Sequence, residues 1–327
     1  MKHSFNRRTL FKLFGWPGAV TLLVPFQGCA LGIHEEPLPQ GTFSERCSAP
    51  GVIRCFGFEQ DELASNGGPI VWGRHDARVG TFVNGMRPGR RLDGRIEIAN
   101  DFTASGASSL KFFMPSRSNG GHAGQFYANF SDDLSVQLSE GDEFFIQWRQ
   151  RFSTSFLDNR YRPYNSWKQM IVGEGDRPGK LVSSCTQLEV VVTNKGTRPA
   201  SPSVYHSCRG KDGDSEGIDV WRTFPFVAEQ WMTFQLHVKI GTWYKNDRRY
   251  HHDSLIELWV ARENEPSRKI LSQNYDLANN NVNAAYGKVW LLPYLGGKDA
   301  SQEHPDAFTW YDDLIISRTA IADPVRR

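Results

Sequence analysis

The stretch "DEFFIQWRQRFS", residues 142–153, decides the fold because its side chains alternate in chemical character. In an extended chain, successive side chains point to opposite sides. The apolar row consists of Phe144, Ile146, Trp148 and Phe152, and the polar row of Gln147, Arg149 and Arg151. A period of two predicts a β-strand with one face against a core.

Similar alternation recurs in short segments along the rest of the chain. Gly, Asn, Asp and Pro separate the segments, and none sustains the spacing of a long amphipathic helix. We therefore predict an all-β fold, a sandwich of two antiparallel sheets, as a single domain over residues 51–320. Residues 194–226 have no clear periodicity and are predicted to form a long loop.

Residues 1–29 have the composition of an export signal. They contain four basic residues, no acidic residue and the apolar run "LFGWPGAVTLLVPF". "NRRTLFK" resembles the twin-arginine export pattern, and "FQGC" resembles the box at which bacterial lipoproteins are acylated. We expect an exported protein that is periplasmic, membrane-anchored through Cys29 or secreted, with a flexible neck over residues 30–50. The alternative for Cys29 is an ordinary cysteine near a cleavage site.

The basic character of the chain comes from this leader. Without residues 1–29, the chain has 34 basic and 36 acidic residues, a formal charge of −2. Phosphate binding usually needs a basic stripe or a high domain pI, so no nucleic-acid partner is expected. We also expect a monomer.

Four further cysteines indicate disulfides in an exported chain. Neighbours in sequence would pair as Cys47 with Cys55 and Cys185 with Cys208, although four cysteines allow three connectivities. A C-x-x-C pair does not occur in the sequence, so zinc is not indicated.

Polar rows recur on five predicted strands, and the aromatic rings of Trp259, Trp290 and Tyr294 are among them. A solvated outer face explains a single such row, because antiparallel sheets often face water on one side. Rings beside amides and charges also suit sugars, whose C–H faces stack on rings while their hydroxyls and carboxylates accept hydrogen bonds. The predicted substrate contacts are Gln125, Gln147, Arg151, Gln187, Trp259, Tyr286 and Trp290.

The order of these segments resembles that of bacterial polysaccharide lyases of the heparin lyase and glucuronan lyase type. It runs from "SGASSLKFFM" through "GQFYANF", "GDEFFIQWRQRF", "SWKQMIVGEGD", "EQWMTFQLHVKIG", "DSLIELWVARE" and "YGKVWLLPY" to "FTWYDDLIIS". The resemblance implies a concanavalin A-like jelly roll with an acidic, uronic-acid polysaccharide as partner. Tyr286, Lys288 and Tyr294 also resemble the tyrosine, lysine, tyrosine series on a catalytic strand of jelly-roll alginate lyases.

Cleavage of a uronic-acid polymer by β-elimination needs a group that neutralises the carboxylate, a base and an acid. We assign neutralisation to Gln125, Gln147, Arg149 and Gln187 by residue type. His237 is the candidate base, because its unperturbed pKa lies near neutrality. Tyr294 is the candidate acid, or both base and acid if Lys288 or Arg149 lowers its pKa. The alternative for His237 is a structural histidine on a half-buried strand.

Two other functions stay open from the sequence. A non-catalytic carbohydrate-binding protein would use the same groove without an effective base. A glycoside hydrolase of the jelly-roll glucanase type would need a Glu-x-Asp-x-Glu pattern, which the sequence does not contain. No cofactor is required by these chemistries, although Asp212, Asp214 and Glu216 imitate the start of a calcium loop. The glutamate that such a loop needs is replaced by Thr223.

Overall fold

The computed structural model describes residues 38–59, 75–76, 81–82, 85–87, 96–158, 166–178, 180, 182, 189–195, 201–206, 217–218, 224–245, 249–278 and 284–326. Its elements in chain order are β1 (Gln40–Gly41), α1 (Phe43–Cys47), β2 (Val52–Phe56), β3 (His75–Asp76), β4 (Thr81–Phe82), β5 (Gly85–Arg87), β6 (Ile96–Ala99), β7 (Ser109–Met114), β8 (Gln125–Asn129), β9 (Glu143–Phe152), α2 (Thr154–Asp158), β10 (Ser166–Glu174), β11 (Glu189–Lys195), β12 (Ser201–His206), β13 (Gly217–Ile218), β14 (Trp231–Lys239), β15 (Thr242–Lys245), β16 (Arg249–Ala261), β17 (Arg268–Ala278), β18 (Tyr286–Leu291), β19 (Leu295–Gly296), β20 (Ala307–Ser317) and β21 (Asp323–Pro324).

Most of these strands belong to two sheets. Sheet I has the strand order β13-β12-β11-β10-β18-β8-β5, with β19 beside β10. Sheet II has the order β15-β16-β14-β9-β20-β7-β6, with β17 beside β16 and β2 beside β20. Neighbouring strands within both sheets are antiparallel, and many are distant in sequence, such as β8 and β18. The predicted all-β jelly-roll sandwich is therefore confirmed.

The core lies between the two sheets, where the apolar rows meet. Phe144, Ile146 and Trp148 of β9 are fully buried in sheet II, as the alternation predicted. The ring of Phe144 lies 5.1 Å from that of Tyr286 in sheet I, measured between centroids. Burying a large apolar side chain contributes about 1.5–3 kcal/mol, so these rows supply much of the stability of the domain.

The segment 194–226, predicted as a long loop, contains strands β12 and β13. Val192 of β11 lies opposite Val204 of β12, and both side chains enter the core. Ser201–His206 was overlooked because it is short and carries a proline. The strand is nevertheless stable as the partner of a longer neighbour.

The chain ahead of β2 is folded from residue 38 onward, although residues 30–50 were predicted as a flexible neck. Strand β1 pairs in parallel with β21 near the C-terminus. Helix α1 begins with a capping box in which the Thr42 side chain accepts from the Glu45 N–H and the Glu45 carboxylate accepts from the Thr42 N–H. The predicted disulfide between Cys47 and Cys55 is present and fastens α1 to β2.

Residues 37–327 form one compact unit. Among the described residues, no helix is long and apolar enough to cross a membrane. The export signal, Cys29, Cys185 and Cys208 lie outside the described residues.

Candidate functional site

The outer face of sheet II carries five of the predicted site residues. These are Gln147, Arg149, Arg151, His237 and Trp259. They share the face opposite the core, since the alternating neighbours Phe144, Ile146 and Trp148 point inward.

Gln147 is fully buried and serves the chain itself. Its Oε1 accepts from Arg46 Nη1 at 2.5 Å, and its Nε2 donates to the Ala322 carbonyl at 3.0 Å. Gln235, beside it on β14, accepts from the backbone N–H of Ile321 at 2.8 Å. These amides therefore hold the N- and C-terminal segments on sheet II, and Gln147 is not available to a substrate.

The two arginines on this face are also engaged. Arg149 donates to the Ala104 carbonyl at 3.1 Å, and burial lowers the pKa of its guanidinium while Asp313 raises it. Arg151 pairs with Glu229 at 2.7 Å, and its guanidinium lies 4.1 Å from the centroid of the Phe102 ring. Neither side chain is poised to neutralise a substrate carboxylate.

His237 lies between two carboxylates. Its Nδ1 is 2.8 Å from Glu257 Oε2 and its Nε2 is 3.0 Å from Glu143 Oε2, and its ring stacks on Phe145 at 4.1 Å. Burial raises the pKa of Glu257, but hydrogen bonds from His237, Lys269 and Ser272 outweigh this and lower the pKa to about 2. Both ring nitrogens are thus engaged by carboxylates of the chain and neither is directed at a substrate, so the structural interpretation of His237 is favoured.

Tyr286, the first residue of β18, lies on the opposite face of sheet I from Lys288, although strict alternation predicts that the two residues share a face. Lys288 pairs with Gly173 and Tyr286 with Glu174, so the register skips Gly287. Such a bulge turns every side chain beyond it to the other face of the sheet. Tyr286 is accordingly fully buried in the core, which rules it out as a substrate contact in this structure.

Lys288 and Trp290 lie on the outer face of sheet I, but both are buried. Lys288 Nζ donates to both oxygens of Asp176 at 2.7 Å and to the Val182 carbonyl at 3.1 Å. Its ammonium also lies 4.9 and 5.2 Å from the rings of Tyr127 and Trp290. Lys288 therefore stabilises the segment around Asp176, and Trp290 is only 2% exposed, too little for a sugar to stack on it.

A different cluster on the same face reaches solvent. Tyr294 follows β18 and is 42% exposed. Lys168 of β10 places its ammonium 5.5 Å from the Tyr294 ring and 5.9 Å from the ring of Tyr205 on β12. Glu189 of β11 interacts electrostatically with Lys168 and Tyr205. We call Lys168, Glu189, Tyr205 and Tyr294 the Lys168 cluster.

The two tyrosines of the Lys168 cluster differ in environment. Tyr205 is half-buried, and desolvation, followed by the charges of Glu189 and Tyr294, raises its pKa well above the ordinary value. Desolvation lowers the pKa of Lys168, and Glu189 raises it. Tyr205 consequently keeps its proton and can donate a hydrogen bond. Paired titratable groups in unlike environments are typical of acid and base roles.

The sequence pattern gave Tyr294 but neither Lys168 nor Tyr205. Lys168 was missed because the β10–β11 register shifts between Lys168 and Met170, which breaks the alternation there. Tyr205 was missed because its strand lay in the predicted loop. The alternation Val204, Tyr205, His206 is the signal that could have found it. Gln125 lies on this face two residues before Tyr127, and Gln187 lies outside the described residues.

The structure therefore does not bring His237 and Tyr294 together. They belong to the outer faces of different sheets, and packed sheets are about 10 Å apart with the core between them. The same separation divides Arg149 from Lys288.

Metal binding has no support among the described residues. They contain no group of three or more His, Cys, Asp or Glu side chains arranged to hold a metal ion. Asp212, Asp214 and Glu216, the candidate calcium ligands, lie outside the described residues.

No family model and no curated protein matches the chain. Solved structures with a similar fold include a glucuronan lyase from the fungus Trichoderma reesei. It matches at 16% identity and a TM-score of 0.46, over 78% of this chain and 98% of that one. An alginate lyase from Chlorella virus matches at 15% identity and a TM-score of 0.47 over 82% and 100%. An alginate lyase from Aplysia kurodai matches at 15% and 0.45 over 68% and 86%. The polysaccharide lyases expected from the order of segments are thus among the structures this chain resembles, and its activity has to be argued from its own residues.

Proposed function

We propose that the chain binds an acidic, uronic-acid polysaccharide on the outer face of sheet I and cleaves it by β-elimination. The observation that carries the proposal is the Lys168 cluster. It combines an exposed tyrosine, a second tyrosine that keeps its proton and an ammonium group within 6 Å of both rings. These are the three chemical roles that the reaction needs.

Three members of the cluster have one role each. The Lys168 ammonium offsets the negative charge of the uronate carboxylate, which makes the adjacent C–H more acidic. Tyr294 takes that proton from carbon on its phenolic oxygen, which must have given up its own proton before this step. The electron pair of the C–H bond forms a carbon–carbon double bond as the glycosidic C–O bond breaks. Tyr205 donates its proton to the leaving oxygen, so the products are an unsaturated uronate and a free hydroxyl.

The test is the ultraviolet absorbance of unsaturated uronate after the purified chain has been incubated with alginate, glucuronan, heparin-type glycans and pectate. We expect absorbance to rise with at least one polymer. In Lys168→Met the rate of this rise should be about 10²–10⁴-fold lower than in wild type, the range for loss of a positioned catalytic group. Lys239→Met is the matched control, since Lys239 is exposed on sheet II. An unchanged rate in Lys168→Met would refute the assigned roles.

A binding-only protein is the second candidate, because Lys288, another lysine on this face, is neutralised by Asp176. That function predicts no absorbance change on any polymer, together with retarded migration in gels that contain one of them. Retardation that disappears in Lys168→Met would then assign the cluster to binding alone.

We further propose that the protein acts outside the cytoplasm. The disulfide between Cys47 and Cys55 supports an oxidising compartment. Cell fractionation tests the lipid anchor on Cys29: the wild-type chain should sediment with membranes and Cys29→Ala should not. Equal distribution of both would exclude the anchor.

A further inference from the structure

Two loops meet beside Tyr294 and are joined by several contacts. The first covers residues 115–124, between β7 and β8, and the second covers residues 292–306, between β18 and β20, and includes the short strand β19. Leu295 N–H donates to the Gly120 carbonyl at 3.0 Å, and Gly120 N–H donates to the Lys298 carbonyl at 3.1 Å. We call this pair of loops the clasp.

The side chain of Lys298 lies at the centre of the clasp. It is 5% exposed, and its Nζ donates to the Ser118 hydroxyl at 3.0 Å and to the Ser118 carbonyl. The Ser118 hydroxyl donates in turn to the Pro115 carbonyl at 2.7 Å. A buried ammonium costs free energy unless hydrogen bonds satisfy it, so a lysine at this position indicates a role for these bonds.

The clasp adjoins Tyr294 from two sides. Leu295, the next residue, is fully buried and forms the bond to Gly120. On the other loop, a Cβ added to Gly121 would lie 3.6 Å from the Tyr294 ring. Gly120 cannot be replaced, because its Cβ would meet the Leu295 carbonyl oxygen at 2.0 Å. The close approach of the two loops therefore depends on glycine at this point.

Tyr294 has one further backbone anchor, on β10. The Lys168 N–H donates to the Tyr294 carbonyl at 2.8 Å. The backbone of Tyr294 is thus held between β10, which carries Lys168, and the clasp. A catalytic group must be held within a fraction of an ångström, and a misplacement of 1 Å can cost about 10²-fold in rate.

We propose that Lys298 is a positioning residue that fixes the exposed ring of Tyr294 by closing the loop 115–124 onto the loop 292–306. This inference rests on the proposed function for its catalytic consequence, whereas the clasp itself can be measured without activity. Burial lowers the pKa of the Lys298 amine to about 8, with Asp299 opposing the shift, so the amine is mostly charged at neutral pH. The other titratable groups of these loops include His122, His304, Asp306, Glu303 and Arg117, of which the last two form an ion pair between the loops.

The experiment is hydrogen exchange by mass spectrometry on the full chain, wild type and Lys298→Met, with turnover measured in parallel. Methionine keeps the length of the side chain but cannot donate. We expect faster exchange in peptides from both loops, an unchanged melting temperature, and a kcat about 10- to 100-fold lower with KM changed less than about twofold. Ser118→Ala, which leaves the carbonyl acceptor, should lower kcat about two- to tenfold, the equivalent of one hydrogen bond.

Unchanged exchange in Lys298→Met would overturn the clasp, and faster exchange with unchanged kcat would overturn its role in positioning. Should the wild-type chain cleave none of the polymers, faster exchange in both loops would still establish the clasp while the proposed function fails. Lys239→Met again serves as the control for loss of a lysine elsewhere.

Discussion

The two outer faces of the sandwich have the same alternation of apolar and polar side chains, but they use the polar row differently. On sheet II the row bonds to the chain itself. Gln147 holds α1 and the C-terminal segment, and His237 joins two neighbouring strands through Glu143 and Glu257. On sheet I the row ends at Tyr294, which is 42% exposed.

The difference shows that a row of polar side chains on a strand predicts a solvent-exposed face only where no other segment of the chain covers that face. A buried amide or charge must find partners inside the protein. On sheet II, α1 and the C-terminal segment supply them for Gln147, and neighbouring strands supply them for His237. On sheet I, the Lys168 cluster keeps an exposed ring beside an ammonium group. Function is therefore expected where the chain's own segments leave polar groups accessible.

Turnover gives the sharpest test of this contrast, with the largest expected effect. We expect Tyr294→Phe to lower the elimination rate about 10²–10⁴-fold, because it removes the proton acceptor of the proposed reaction. His237→Ala should stay within about threefold, because His237 lies on the other sheet. Initial rates of unsaturated product formation at 25 °C measure both. The reverse ranking would place the active site on sheet II.

Stability should show the reverse contrast. Substitutions on the outer face of sheet II are expected to lower the free energy of unfolding more than substitutions on the outer face of sheet I. Arg46 is the buried residue of α1. Its Nη2 lies 2.6 Å from Asp313, and both side chains are almost fully buried. Arg46→Met leaves Asp313 buried without its closest cationic partner, so the free energy of unfolding should fall by about 3–5 kcal/mol.

Denaturant unfolding measures this change. Arg318→Met is the control, since Arg318 is half exposed and 3.8 Å from Asp142, and it should change stability by less than about 1 kcal/mol. A loss below 1 kcal/mol in Arg46→Met would mean that α1 does not contribute to the stability of sheet II.

Acidic pH should destabilise the contacts on the outer face of sheet II, with a smaller effect than Arg46→Met. The folded-state pKa of Glu257 is about 2, below its ordinary value of 4.5, so its stabilisation is present above pH 5 and is lost as pH falls towards 2. Glu257→Gln should cost about 2 kcal/mol at pH 7 and flatten the acid limb of the stability curve. Unfolding by urea at pH 3, 5 and 7 measures the slope. A slope equal to that of wild type would show that Glu257 titrates normally.

The sequence was sufficient for the sandwich because a period of two determines which side chains enter the core. Phe144, Ile146 and Trp148 are buried as that period requires. It was insufficient for the site, because alternation gives the two faces of a strand but not the sheet to which the strand belongs. His237 and Tyr294 were assigned to one groove for that reason.

Irregular positions account for two further errors. The skipped residue Gly287 reverses the face of Tyr286, and the shift beside Lys168 hides that residue from a strict alternation. A bulge depends on the partner strand, which a single segment does not reveal. The predicted disulfide between Cys47 and Cys55, by contrast, needed only two cysteines close in sequence.

The smallest expected effect tests that bulge. The Tyr286 hydroxyl is buried without a hydrogen-bond partner among the described residues, and burial raises the pKa of this phenol well above its ordinary value. Tyr286→Phe removes an unsatisfied polar atom, so it should leave turnover unchanged and stability within about 1 kcal/mol of wild type, or higher. Turnover and urea unfolding of the same preparation measure both. A large loss of turnover with normal stability would place Tyr286 on the outer face beside Tyr294, as uninterrupted alternation requires, and would remove the bulge at Gly287.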